Sequence, residues 1–152
     1  MDLSLVVRKA EKHDLLKIQR LMARAGAQDT AIDEQVTKFL VVENDDKVII
    51  GIAGIEKGKK NGLIRSFILD SPTWTAEMSI EFMDIVLAYA KERKIERIYA
   101  CTKGKTPLFW QLGFRQIDKE EVPIDISSLP HYQRTIGQNV AVWSYDLKSE
   151  VS

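Results

Sequence analysis

The segment S-P-T-W-T-A-E-M-S, residues 71–79, sits where a chain could receive an anion. Before it, L-I-R-S-F-I-L-D (63–70) reads as a strand. After it, I-E-F-M-D-I-V-L-A-Y-A-K-E-R-K (80–94) reads as an amphipathic helix, and I-E-R-I-Y-A-C (95–101) as the next strand. A strand, a turn and a helix N-terminus together aim free backbone N–H groups and the helix dipole at a ligand, which suits phosphate. Such a turn normally carries glycine, so that backbone can approach the phosphate closely. This one has no glycine and places Glu77 and Met78 there.

The other residues able to do chemistry are scattered. Arg65 and Ser66 lie mid-strand, where one of them faces inward. A buried arginine needs a partner, so Arg65 is either a ligand clamp or half of a structural ion pair. Glu43 and Glu56 end or flank hairpin strands and read as solvated surface groups rather than bases. Tyr99 and Cys101 share one face of their strand by alternation, and that face is also a candidate for core. His13 and His131 lie at loop or helix starts and read as surface or capping residues. Trp74, Trp110 and Trp143 read as packing residues, with Trp74 also able to offer a ring face to a ligand.

The elements that must position these groups follow from periodicity. S-L-V-V-R (4–8) is a short strand. Residues 12–25 form a helix in which Leu15, Leu16, Ile18, Leu21 and Met22 recur at helical spacing. A second short helix is expected over 30–37, with Thr30 as its cap. F-L-V-V-E (39–43) and V-I-I-G-I-A-G-I-E (48–56) flank the turn N-D-D-K and form a hairpin. Residues 106–112 form a short helix with Pro107 at its first position and Gly113 as its stop. F-R-Q-I (114–117) is a strand, 118–133 reads as irregular, and N-V-A-V-W-S-Y-D-L (139–147) is the last strand. The order predicts an α/β chain with a mixed, twisted sheet. The helix joining 63–70 to 95–101 makes those strands parallel neighbours.

Composition narrows the partners. The 152 residues suit one domain spanning 1–152. Lysine plus arginine (22) equals aspartate plus glutamate (22). A neutral chain has no global field to draw it to nucleic acid or to anionic lipid, and neither partner is expected. No apolar run reaches membrane-spanning length. One cysteine and no Cys/His cluster of ligand spacing point to no internal disulfide and no metal. The expected setting is cytoplasmic, with a homodimer left open.

This order of elements, with A-K-E-R-K-I-E-R-I-Y-A at 90–100 and L-F-W-Q-L-G-F-R at 108–115, resembles the GNAT superfamily of N-acetyltransferases. The likeness covers about residues 5–118, and its ordered set is more specific than any one piece. F-L-V-V-E at 39–43, Phe109 before G-F at 113–114, and H-Y-Q-R at 131–134 resemble the acetyltransferase domain of the N-acetylglutamate synthase family. The resemblance implies acetyl-CoA as co-substrate and a small-molecule amine or amino acid, such as glutamate, as acceptor. It implies that backbone groups of Phe67, Ile68 and Leu69 hold the pantetheine arm, and that Thr75, Ala76 and Ser79 stand in the phosphate loop. It implies that Arg65 lines the acceptor cleft and that Arg134 binds a carboxylate, which an arginine fork suits. A surface arginine following Tyr132 is the competing reading of Arg134.

The chain departs from the family at two places. Trp74 stands at the usual arginine or glutamine, and Glu77 stands where a small residue is expected. A carboxylate aimed at a pyrophosphate costs about 1 kcal/mol or more at a few ångströms. Phe109 replaces the tyrosine that often protonates the departing thiolate and has no proton to give. These departures keep a second class of function open, a GNAT-fold protein without catalysis that binds a ligand or partner.

Overall fold

The computed structural model describes residues 5–25, 38–103 and 107–147. The expected helix over 30–37 lies outside these residues. The chain divides into two compact units. One comprises residues 1–54 and 66–82, the other 55–65 and 83–152. Among the described residues the strands hydrogen-bond as one mixed sheet in the order β1 (Val6–Lys9), β2 (Phe39–Glu43), β3 (Ile49–Lys57), β4 (Asn61–Leu69), β5 (Arg97–Lys103), β7 (Val140–Asp146), β6 (Arg115–Ile117).

In the first unit, β1 (Val6–Lys9) pairs antiparallel with β2 (Phe39–Glu43), and β2 with β3 (Ile49–Lys57). The hairpin expected at N-D-D-K is present. Asn44 Oδ1 accepts from the amides of Asp46 and Val48, which closes the turn. Helix α1 (Leu15–Arg24) buries Ile18, Leu21 and Met22 against Phe39, Val41, Ile49 and Ile52. Leu16, which the periodicity placed among them, is exposed. At the head of α1, the fully buried Asp14 carboxylate takes two bonds from Arg8, at 2.7 and 2.9 Å, and one from the Glu11 amide at 2.7 Å. Arg8 in turn reaches Glu43 at 2.9 Å. Glu43 is therefore half of an ion pair, not the free surface group expected.

In the second unit, the starts of β4 (Asn61–Leu69) and β5 (Arg97–Lys103) are parallel, as the intervening helix requires. β7 (Val140–Asp146) runs antiparallel to β5 along its whole length, and β6 (Arg115–Ile117) covers the other side of β7. Short helix α3 (Pro107–Gln111) ends in a left-handed Gly113 at φ 91°. The Gly113 amide bonds Trp110 O, the Phe114 amide bonds Phe109 O, and the Phe109 and Phe114 rings meet edge to face at 5.0 Å. This is a helix stop with its usual apolar contact, and it explains the L-G-F sequence. Tyr145 lies 3.2 Å from where a Cβ would stand on Gly113, so a side chain there would be crowded as well as strained by the positive φ. The stretch read as irregular over 118–133 is instead ordered into a turn at Lys119–Glu121 and helices α4 (Ile124–Ser127) and α5 (Pro130–Thr135). Helices this short present less than two turns of periodicity, so no apolar stripe announces them.

Helix α2 (Ala76–Glu92) starts at Ala76, not at residue 80 as the apolar spacing suggested. It ends in the same way as α3, with the Lys94 amide on Lys91 O and the Ile95 amide on Ala90 O. Here, however, the left-handed position is a lysine, Lys94 at φ 63°. A side chain in that conformation costs ~1 kcal/mol that glycine avoids. Lys94→Gly is expected to raise the urea midpoint by an amount worth ~0.5–1 kcal/mol at an unchanged slope. A lowered midpoint would show that the lysine side chain contributes more than its backbone strain costs.

Candidate functional site

The sequence-predicted cofactor residues all fall within Ser66–Phe82 of the first unit. Ser66 is a non-glycine residue at φ 61° inside a strand. Such a residue puts a local bend into the strand. The β4–β5 ladder runs from Asn61↔Arg97 to Leu63↔Tyr99 and stops there. Toward β3, its neighbour in the sheet, the Asp70 amide just past the strand end bonds Ile50 O at 2.7 Å. Backbone groups of Phe67, Ile68 and Leu69 directed away from β3 are thus not consumed by the β5 ladder.

The loop after β4 is held by side chains. Trp74 lies edge-on to Phe82 at 6.5 Å, and Phe82 stacks on Phe67 at 5.3 Å. The Trp74 indole N–H donates to Ser79 Oγ at 2.7 Å. Thr75 caps α2, with its Oγ1 accepting from the Met78 amide at 3.2 Å. Ser71 and Thr73 share a bond at 2.9 Å, and the Trp74 amide bonds Ser71 O at 3.0 Å. The hydroxyls of Thr75 and Ser79, both placed in the expected phosphate loop, therefore have internal duties. Ser79 is buried and engaged by Trp74, so its hydroxyl does not stand free for a ligand. Thr75 is exposed and keeps its O–H proton. The amides of Ala76 and Glu77, in the first turn, have no partner among the described residues, as expected at a helix start. Glu77 is exposed in that same turn. There it favours the free helix through the dipole and competes with any incoming anion.

The substrate candidates belong to the second unit. Arg65 is 3% exposed and its Nη1 donates to Glu56 at 3.0 Å. Glu56 is accordingly not a solvated surface carboxylate but the partner of a buried cation. Arg134 is exposed near the end of α5. Tyr132, two residues earlier, is buried with Leu63, Tyr99, Ile126 and Val142, and Cys101 packs against this cluster. The face shared by Tyr99 and Cys101 is thus core. Burial pushes the Cys101 thiol up to about 11, against a smaller opposite pull from Lys119. Burial, with Cys101 nearby, also holds the Tyr132 phenol above its ordinary value.

Phe109 is buried, stacking on Trp143 at 5.7 Å. Trp143 donates its indole N–H to Thr102 Oγ1 at 2.8 Å. Trp110 touches Trp143 edge-on at 5.3 Å but is 59% exposed, so one of the three tryptophans is not a packing residue in full. Sequence reasoning missed the Ser66 bend altogether, and no residue type signals it. It also missed the early start of α2, for which Thr75 followed by Met78 at N3, with Glu77 in the first turn, was the available signal.

No family model matches the chain, and no curated protein matches its sequence. Solved structures do. The chain is similar to N-acetylglutamate synthase from Neisseria gonorrhoeae, complexed with coenzyme A and N-acetyl-glutamate, at TM-score 0.80 and 17% identity. The match covers 97% of this chain but 36% of that protein, so the chain spans about a third of its length. It is similar to a Mycobacterium tuberculosis protein in complex with CoA, at TM-score 0.73 and 19% identity, over 93% of this chain and 99% of that one. An acetyltransferase of the GNAT family from Staphylococcus aureus Mu50 matches at TM-score 0.73 and 15% identity, over 95% of this chain and 100% of its own. The fold of this chain is that of the GNAT acetyltransferases, N-acetylglutamate synthase among them.

Proposed function

We propose that residues 1–152 form one GNAT-like domain that transfers an acetyl group from acetyl-CoA to the amine of a small molecule, an amino acid such as glutamate being the first candidate. The observation that carries this reading is the bend at Ser66 in a strand of this fold. It leaves backbone groups of Phe67, Ile68 and Leu69 beyond the β5 ladder. An extended amide chain of the pantetheine type can add to them as a strand adds to an open edge. The thioester would supply the activated acyl group. The chain's own part is to align it and to polarise its carbonyl with strand N–H groups. Attack forms the N–C bond and breaks the C–S bond, while the amine loses a proton and the thiolate gains one. The Ala76 and Glu77 amides and the Thr75 hydroxyl are the donors for phosphate. Arg134, exposed on α5, is the candidate for the acceptor carboxylate, and Arg65 would act through its pairing with Glu56.

A second reading, a ligand- or partner-binding module without catalysis, is favoured by two observations. Glu77 stands in the helix turn that would face phosphate, and Phe109, aromatic but without a hydroxyl, is buried in a ring stack. Calorimetry with acetyl-CoA separates them. The parent protein is expected to bind weakly, and Glu77→Gln to bind about tenfold more tightly, as removal of one charge repulsion implies. Sub-micromolar binding by the parent would overturn the inhibitory role given to Glu77. No binding by either form would favour the module.

Because Arg134 is exposed, Arg134→Ala is expected to abolish an amino-acid-induced thermal shift and to leave the unliganded melting point within about 2 °C. A larger loss without ligand would make Arg134 structural. Direct transfer also needs no enzyme nucleophile. With its pKa at about 11, Cys101 is almost wholly protonated at pH 7. Iodoacetamide should label it slowly in the native protein, faster as pH rises toward that value. Cys101→Ala should keep any transferase activity within about threefold. Fast labelling with complete loss of activity would point to an acyl-cysteine route.

A further inference from the structure

The start of α2 is closed by sulfur where oxygen is usual. Ala76 is the first residue of the helix, so Thr75 stands at the cap and Met78 at the third helical position. In a capping box the cap hydroxyl takes the amide of the third residue, and a Glu or Gln at that position reaches back to the amide of the cap. The first half is present, with Thr75 Oγ1 accepting from the Met78 amide at 3.2 Å. The second half is made by a thioether: the Thr75 amide donates to Met78 Sδ at 3.3 Å.

A thioether is a weak acceptor. The Thr75 amide is thus held only lightly in the free chain and remains open to a stronger acceptor. A phosphate oxygen is one, because bonds from an amide to a charged oxygen are shorter and about twice as strong. The next two amides, of Ala76 and Glu77, have no partner among the described residues. Displacing the sulfur adds the Thr75 amide to them and makes three successive N–H donors. Methionine has three rotatable bonds, and Met78 is only half-buried. Its sulfur can leave the amide by side-chain rotation. A Gln or Glu in its place would hold the same amide with oxygen, strengthen the cap and withhold the donor.

We propose that Met78 is a positioning residue of the phosphate site: its sulfur holds the Thr75 amide in the free chain and yields it to a phosphate oxygen of the ligand. The inference rests on the acetyltransferase reading, which puts the coenzyme A phosphates at this turn. It is separate from the role of Glu77. Glu77 opposes an anion by charge, whereas Met78 sets how many N–H groups meet it.

The test is an amide NMR titration of the full chain with coenzyme A, set beside the urea midpoint of each unliganded form. Met, Gln and Leu have nearly equal helix propensity, so the three forms differ chiefly in the acceptor they offer. Met78→Gln is expected to raise the urea midpoint and to weaken coenzyme A binding about threefold or more, as the withholding of one hydrogen bond implies. Met78→Leu offers no acceptor. Its midpoint is expected at or below that of the parent, and its affinity within about twofold of the parent's or tighter. At saturation the Thr75 amide proton should move downfield in the parent and in Met78→Leu.

A residue that only packs would lose stability and affinity together; Met78→Gln is expected to move them in opposite directions. Where the parent binds coenzyme A, three results would each overturn the role given to Met78 and leave the acetyltransferase reading standing. These are unchanged affinity in Met78→Gln, a parallel loss of midpoint and affinity, or a Thr75 amide unmoved at saturation. Binding of coenzyme A by none of the three forms would overturn both.

Discussion

The bend in β4 at Ser66 is the constraint on which the functional reading rests. A serine held in the left-handed region costs ~1 kcal/mol or more, and it persists only where its surroundings impose it. On one side of it, Arg65 is buried and bonded to Glu56. On the other, Phe67 stacks on Phe82 and the strand remains bonded to β3 through Asp70. The division of the chain into two compact units crosses β4 between Arg65 and Ser66.

The segment after the bend is held in place by its own side chains. Trp74 packs on Phe82 and spends its N–H on Ser79, and Thr75 caps the helix. A cap of this kind contributes ~1 kcal/mol, and an exposed acidic residue in the first turn adds ~0.3–1 kcal/mol through the dipole. Glu77 therefore stabilises the helix in the free chain by the same interaction that an anion would need. Ligand affinity and intrinsic helix stability oppose each other at this one position.

The two buried polar arrangements of the second unit differ in kind. Arg65–Glu56 is a pair in which each charge answers the other, and such pairs are weak evidence of net stability. Asp125 instead gathers backbone amides and the Asn61 side chain at the turn between β3 and β4. That arrangement fixes the turn.

Local rules determined much of this chain. Alternation and the Asn44 turn specify the β2–β3 hairpin, and 3.6-residue spacing specifies the buried face of α1. Leu112, Gly113 and Phe114 specify a helix stop that needs only neighbouring atoms and a positive φ. Each of these depends on residues close in sequence, so their spacing records them. The sequence did not record that Glu56 meets Arg65, that Asp125 meets Asn61, or that Ser66 takes the conformation usual for glycine. Nor did it show that Ser79 would be spent on Trp74. These outcomes depend on which groups are brought together when strands and loops pack. The low dielectric of the interior then obliges each buried polar group to take whatever partner is within reach. Periodicity reports which face of an element is buried; only the packed chain decides what that face touches.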